Sequence, residues 1–246
     1  MPSIKEEHLA TARGGILYDP SRVVKPQDAL FEREHWAAQG ALEEARGGRG
    51  SIALLRSGAE TWVLRHYRRG GWAARASRDR YLWSGAARTR SFAEWRLLAE
   101  LKRSELPVPA PIAARYVRSG LTYRADLIME LVPGVRTLAE AMQGGALPQS
   151  VWSEVGAAIA AFHRKGVHHP DLNAHNVLLR QDERAAAPVY LIDFDRGRVR
   201  PRGAWEQGVL QRLRRSLDKV KRQQAESLFE DRDWRALMAG YEANQA

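Results

Sequence analysis

Two nearby stretches, VHHPDLNAHNVLL (167–179) and VYLIDFDRGR (189–198), decide how this chain of 246 residues is read. The first contains H-x-D-x-x-x-x-N as His169, Asp171 and Asn176, followed at once by an apolar run. Phosphoryl-transferring enzymes use that spacing because the Asp then reaches an acceptor hydroxyl while the Asn, one turn of loop further on, coordinates a divalent cation. The second is an apolar strand ending at Asp193, where a metal-binding carboxylate should stand, with Asp195 close behind. Between them QDERAAAP (181–188) is a polar turn, so the two stretches are expected to form a hairpin that brings Asp171, Asn176 and Asp193 together. An isolated loop Asp is usually a turn former and an isolated Asn a cap, and the short pattern alone is weak. Its weight comes from its context.

Upstream of the loop, Val151 to His163 reads as a buried, Ala-rich helix that ends before Gly166. Composition shifts from strand-rich to helix-rich at Pro133-Gly134, which divides the chain into an N-terminal lobe, 1–132, and a C-terminal lobe, 133–246. In the first lobe the turn GGRG (47–50) leads into the strands SIALLR (51–56) and ETWVLRHY (60–67). SFAEWRLLAELKRSEL (91–106) then sets Phe92, Trp95, Leu98 and Leu101 at helical spacing, with Pro107 and Pro109 to terminate it. A further strand pair ends with YRADLIMELVPG (123–134), and two more helices are expected over Ala204 to Lys221 and Ala225 to Tyr241. The sum is an α+β, two-lobed, protein-kinase-like fold with a small β-rich first lobe and a helical second one.

That fold assigns further roles. Backbone N–H groups of Gly47, Gly48 and Gly50 could fold over ATP phosphates, although a glycine turn between strands is common. A Lys on the second apolar strand usually pairs with the phosphates and with a Glu on the next helix. Here Glu94 is the helix partner, but the strand offers Arg65, and the nearest lysines are Lys25 and Lys102. Arg supplies charge and a planar fork, yet it is not equivalent to Lys, so a pseudokinase stays open. His163, His168 and His175 are expected to pack or hydrogen-bond rather than act as bases.

The chain has 44% hydrophobic residues, enough for a sizeable core, and no cysteine, so neither disulfides nor thiolate metal sites are possible. The N-terminus lacks the pattern of a secretory signal, and no stretch approaches the roughly 20 apolar residues needed to cross a bilayer. Formal net charge is +10, and it is concentrated. Seven arginines against Asp79 between His66 and Arg90 give +6, with Trp72, Tyr81 and Trp83 interleaved. Ten Lys or Arg against Glu206 and Asp218 between Arg196 and Arg222 give +8. Such runs are either solvated faces or surfaces for an anionic partner.

The segments LRHYRRGG (64–71), SFAEWRLL (91–98), LPVPAPIAAR (106–115), HPDLNAHNVLL (169–179) and LIDFDRGR (191–198) resemble those of the 3-deoxy-D-manno-octulosonic acid (Kdo) kinases. These form part of the lipopolysaccharide-core kinase group. The resemblance runs from the glycine turn to the basic helix. It implies transfer of the ATP γ-phosphoryl group to the Kdo 4-hydroxyl of a lipid A precursor, by a peripheral protein at the cytoplasmic face of the inner membrane. It also implies that Asp171 orients or deprotonates the hydroxyl, that Asn176 and Asp193 hold Mg2+, and that Arg65 with Glu94 positions the nucleotide. Met129, Glu130 and Leu131 would form the hinge meeting adenine. Only a few residues separate Asp193 from the basic run, too few for a long activation segment.

An anionic acylated acceptor and an anionic membrane surface would also account for clustered Arg beside Trp and Tyr. No obligate protein partner is implied. A small-molecule phosphotransferase of the aminoglycoside or choline kinase type shares Asp171, Asn176 and Asp193, but its cationic acceptors call for an acidic cleft. A nucleic-acid-binding protein would use the charge, but no nucleic-acid motif is evident.

Overall fold

The computed structural model describes residues 4–44, 52–68, 79–180, 188–223 and 229–245. The chain divides into two compact units, Met1–Arg103 with Pro109–Leu131, and Ser104–Val108 with Val132–Ala246.

The first unit is built on an antiparallel sheet. Its strands are β1 (Glu7–Thr11), β2 (Gly14–Tyr18), β3 (Leu42–Glu44), β4 (Ile52–Ser57), β5 (Glu60–His66), β6 (Tyr81–Leu82), β7 (Pro111–Ser119) and β8 (Thr122–Glu130). They lie in the order β1-β2-β7-β8-β5-β4-β3, with β6 added on β8. The expected strand pair after GGRG is thus present as β4 and β5, while GGRG itself lies outside the described residues. Successive strand side chains face opposite ways. Trp62 and Leu64 of β5 join a core with Ile16, Phe31, Trp36, Leu55 and Ile128, Trp36 coming from the short helix α1 (Arg33–Ala38). Val63, Arg65 and Tyr67 therefore point to the other side, where the helix α2 (Arg90–Arg103) packs against β7 and β8. Phe92, Trp95, Leu98 and Leu101 are all buried, as their spacing required. The helix ends at Arg103, short of the expected proline stop, because Glu105 already takes a left-handed backbone (φ 60). The β1–β2 hairpin depends on Gly14, since a Cβ there would stand 1.9 Å from the Tyr116 carbonyl oxygen.

The second unit comprises β9 (Val135–Thr137), α3 (Leu138–Ala141), α4 (Gln149–Arg164), β10 (Val167–His168), β11 (Val177–Arg180), β12 (Tyr190–Leu191), β13 (Arg198–Val199), α5 (Trp205–Gln223) and α6 (Asp231–Ala243). Thr137 and Glu140 cap α3 reciprocally in a capping box. Trp152, Val155, Ile159 and Phe162 form the buried stripe of α4. Helix α6 lies close against it because Gly156 and Gly240 have no side chain; a Cβ on Gly240 would meet the Ser153 carbonyl oxygen at 2.1 Å. Helix α6 begins at Asp231 rather than Ala225, where Glu230 and Asp233 exchange capping hydrogen bonds. A buried chain of polar groups joins the three helices: His163 Nδ1 lies 2.8 Å from the Tyr241 hydroxyl, which donates to Glu206 Oε2 (3.3 Å), itself held by Arg202. Burial lowers the His163 pKa to about 4, so the ring is neutral at pH 7. No helix among the described residues is long and apolar enough to cross a membrane.

Candidate active site

In the second unit, β11 and β12 pair antiparallel with Val177 opposite Leu191 and Leu178 opposite Tyr190. One further bond, Ile192 N–H to the Asn176 carbonyl (3.1 Å), carries the pairing past the strand ends and sets Asp193 beside Asn176. The loop before β11 is held by its own side chains. Asn173 Nδ2 and Asn176 Nδ2 both donate to the Asp171 carbonyl, at 2.8 and 3.1 Å, and His175 N–H donates to Asn173 Oδ1 at 2.9 Å. With its amide nitrogen engaged, Asn176 turns its oxygen the other way, and the residue is 7% exposed. Two neighbours grip the loop from outside: Ala139 N–H donates to the Ala174 carbonyl, and the Ser216 hydroxyl of α5 accepts from Ala174 N–H at 3.1 Å.

His169 is buried, and burial lowers its pKa, so it carries a single ring proton. That proton sits on Nε2, which donates to the Ile192 carbonyl at 2.9 Å, tying the loop to the strand that ends at Asp193. Phe194 is buried against the rings of His169 and Phe162. Asp193 itself has φ 66, a left-handed conformation that Asp tolerates better than most residues. The Asp171 side chain is 50% exposed and forms an ion pair with Arg212 of α5. Among the described residues no cluster of three or more His, Cys, Asp or Glu could by itself hold a metal ion.

The first unit holds a separate charged group. Arg65 NH1 donates to Glu94 Oε1 and Oε2 at 3.1 and 3.3 Å. The Tyr67 hydroxyl donates to Oε2 at 2.5 Å, and the Arg65 guanidinium lies 4.8 Å from the Tyr67 ring centre. Glu94 is 2% exposed, and its buried carboxylate accepts from the Arg65 guanidinium and the Tyr67 hydroxyl. The Lys102 ammonium meets Glu130 Oε1 at 3.1 Å, and Lys25 is exposed. Met129 and Glu130 are the last residues of β8. The amides of Glu130 and Leu131 are occupied, donating to the carbonyls of Ala110 and Thr61 at 2.9 Å each. Gly47, Gly48 and Gly50 lie outside the described residues.

Tyr67 and Arg212 were not singled out for these groups from the sequence. Tyr67 had a signal, since it stands two residues after Arg65 and so shares its face of the strand. Arg212 had none beyond lying in a basic helix, 41 residues from its partner.

Residues 33–241 match the model of the lipopolysaccharide kinase (Kdo/WaaP) family. A protein of Stenotrophomonas maltophilia strain K279a named 3-deoxy-D-manno-octulosonic acid kinase is 45% identical over 234 residues, covering 93% of this chain and 90% of the relative. A Xanthomonas oryzae pv. oryzae protein of the same name is 46% identical over 232 residues, with the same coverage of 93% and 90%. Among solved structures, WaaP in complex with acyl carrier protein aligns over 89% of this chain and 87% of that one, with a TM-score of 0.56 at 18% identity. The likeness to WaaP is one of fold, and the α+β kinase-like architecture expected from the sequence is the one found.

Proposed function

This chain belongs to the lipopolysaccharide kinase (Kdo/WaaP) family, and on that premise we propose that it phosphorylates Kdo in lipopolysaccharide core assembly. The donor is ATP, and the acceptor is the Kdo 4-hydroxyl of a lipid A precursor. The carrying observation is 45% identity, spread over nine-tenths of both chains, with a protein that bears the Kdo kinase name.

Asp171 is the group that orients and takes up the proton of the acceptor hydroxyl; Arg212, its ion-pair partner, is itself about half exposed and open to the Kdo carboxylate. His169 is a positioning residue, bracing the loop against the Asp193 strand. Arg65, aimed by Glu94 and Tyr67, is the cation offered to the phosphates. One carboxylate from Asp193 and one amide oxygen from Asn176 suit magnesium, which is commonly bound by few protein oxygens and completes its shell with phosphate and water. Bound there, the ion would neutralise phosphate charge. The site works by orientation and fixed charge. The protein's place is peripheral, at the cytoplasmic face of the inner membrane, a reading supported by its net charge of +10.

Incubating the purified protein with γ-labelled ATP and lipid A precursor, with and without Kdo, tests the proposal. Label should enter the lipid only when Kdo is present. Equal labelling of the Kdo-free lipid would overturn it.

A further inference from the structure

Building on the proposed peripheral location, we infer that the protein docks on an anionic phospholipid bilayer through the rim of the first unit where the β1–β2 turn, the β7–β8 turn and β6 come together. Two large apolar side chains stand out of this rim. Leu121, in the β7–β8 turn, is 80% exposed, and Leu82, in β6, is 74% exposed. They are neighbours, because Leu82 pairs with Thr122 and Trp83 N–H donates to the Leu121 carbonyl at 2.9 Å. A folded protein gains nothing from presenting two adjacent leucines at a turn tip to water, whereas a membrane interface rewards them.

Their surroundings specify the partner. Arg13, Arg80, Arg118 and Arg124 are exposed and line one groove with Thr122, beside Leu121; Asp79 is bound to Arg124 at 2.7 Å, and the acids Asp28, Glu32 and Glu34 lie on the far side of Arg13 and Arg124 from that groove. The β1–β2 turn is fastened to β7 by Arg118 N–H donating to the Arg13 carbonyl at 2.7 Å, so both arginines belong to one rigid rim. The Arg118 guanidinium lies 4.8 Å from the Trp83 ring centre, and Trp83 rests in turn on Tyr116 at 5.1 Å. Arg13, Arg118, Trp83 and Tyr116 wall a shallow cleft of about 500 Å³. Leucine at the tip, amphipathic Trp behind it and arginine on the flanks match, in that order, the acyl, interfacial and headgroup layers of an anionic leaflet.

In the basic helix α5, the other candidate, Arg212 and Arg214 are committed within the fold, and α5 exposes no large apolar side chain beside its basic ones. Arg214 pairs with Asp218 and Asp231 and lies over Phe229 and Trp234, and Arg212 is bound to Asp171.

The chain has no cysteine, so single labelled sites can be installed cleanly. Leu82→Cys, Leu121→Cys and, as a distant exposed control, Val24→Cys would each carry an environment-sensitive fluorophore and be mixed with vesicles of phosphatidylglycerol and phosphatidylcholine. Leu82→Cys and Leu121→Cys should shift to the blue with anionic vesicles and not with neutral ones, and Val24→Cys should not shift. In sedimentation, Leu82→Ser/Leu121→Ser should bind the anionic vesicles about tenfold more weakly, as should Arg13→Gln/Arg118→Gln at low salt. Wild-type protein that sediments with anionic vesicles while the labels at 82 and 121 stay silent would overturn this docking face and leave the peripheral reading standing. Wild-type protein that ignores anionic vesicles would overturn both.

Discussion

Two ion pairs of like chemistry sit in opposite settings. In Arg65–Glu94 the arginine side chain is 19% exposed and the carboxylate 1%, with Tyr67 as a third member; in Arg212–Asp171 the values are 46% and 50%. A buried carboxylate with two fixed donors cannot exchange partners without a large desolvation penalty, so the first pair is scaffold as well as function. An exposed pair contributes little to stability, and its partners can be traded for a ligand's. Charge that must stay still has been buried, and charge that must meet an incoming acceptor has been left in water.

The sharpest way to break this contrast lies next to the exposed pair. Asp193→Asn should lower turnover on the Kdo acceptor by about a hundredfold to ten-thousandfold while leaving the fold intact, because it removes a charge without removing a packed group. Near wild-type turnover, with a native circular dichroism spectrum, would dismiss the hairpin as the site. Arg65→Ala comes next, at about 2–4 kcal/mol in kcat/KM, roughly thirty- to eight-hundredfold. It should also lower the melting temperature, because the buried Glu94 carboxylate loses its guanidinium partner. Partial rescue by Arg65→Lys would assign the role to charge, and no rescue would assign it to the planar fork.

Histidines sharpen the comparison through pH. In the second unit burial lowers the pKa of His163 to about 4, so the unfolded chain binds the extra proton first. Its contribution is full above pH 6.5 and is lost progressively down to about pH 4, by about 3 kcal/mol at most. In the first unit the hydrogen bond to Asp126 raises the His66 pKa against the opposing effect of burial. Its contribution has the opposite sign, being full below pH 6.5 and lost as pH rises through the folded value. Denaturant unfolding of His163→Gln should therefore show a flatter acid limb than wild type, and His66→Gln a flatter alkaline limb. The smallest expected effect belongs to Arg212→Gln, within about 1 kcal/mol of wild type in stability, with a rise of up to about tenfold in KM for the acceptor. A fall of several kcal/mol in stability would show that the pair is scaffold after all.

What could be read from the sequence was what is local in it. His169, Asp171 and Asn176 lie within eight positions, Asp193 ends an apolar run, and a polar turn joins the two stretches, so local spacing and context together implied the loop and the hairpin. Glu94 and Arg65 were legible because helix and strand periodicities each aim one side chain. The β1–β2 hairpin was not legible, because its five-residue strands have little apolar alternation and its need for Gly14 comes from Tyr116, a hundred residues away. The partners of Asp171 and of the Ala174 amide on α5 were hidden for the same reason: helix-face geometry, not spacing, selects Arg212 and Ser216. Taken as a charge run, α5 resembled a binding surface; in the fold, two of its arginines are tied to acids of this chain.

The most direct test of the account is Asp171→Asn, assayed twice on the same preparation. Binding of ATP with magnesium, by calorimetry, should stay within about threefold of wild type, while single-turnover phosphoryl transfer to Kdo-bearing lipid A precursor should fall at least about a hundredfold. Transfer at the wild-type rate would contradict the assignment of Asp171, and a loss confined to nucleotide binding would move that carboxylate from the acceptor to the donor.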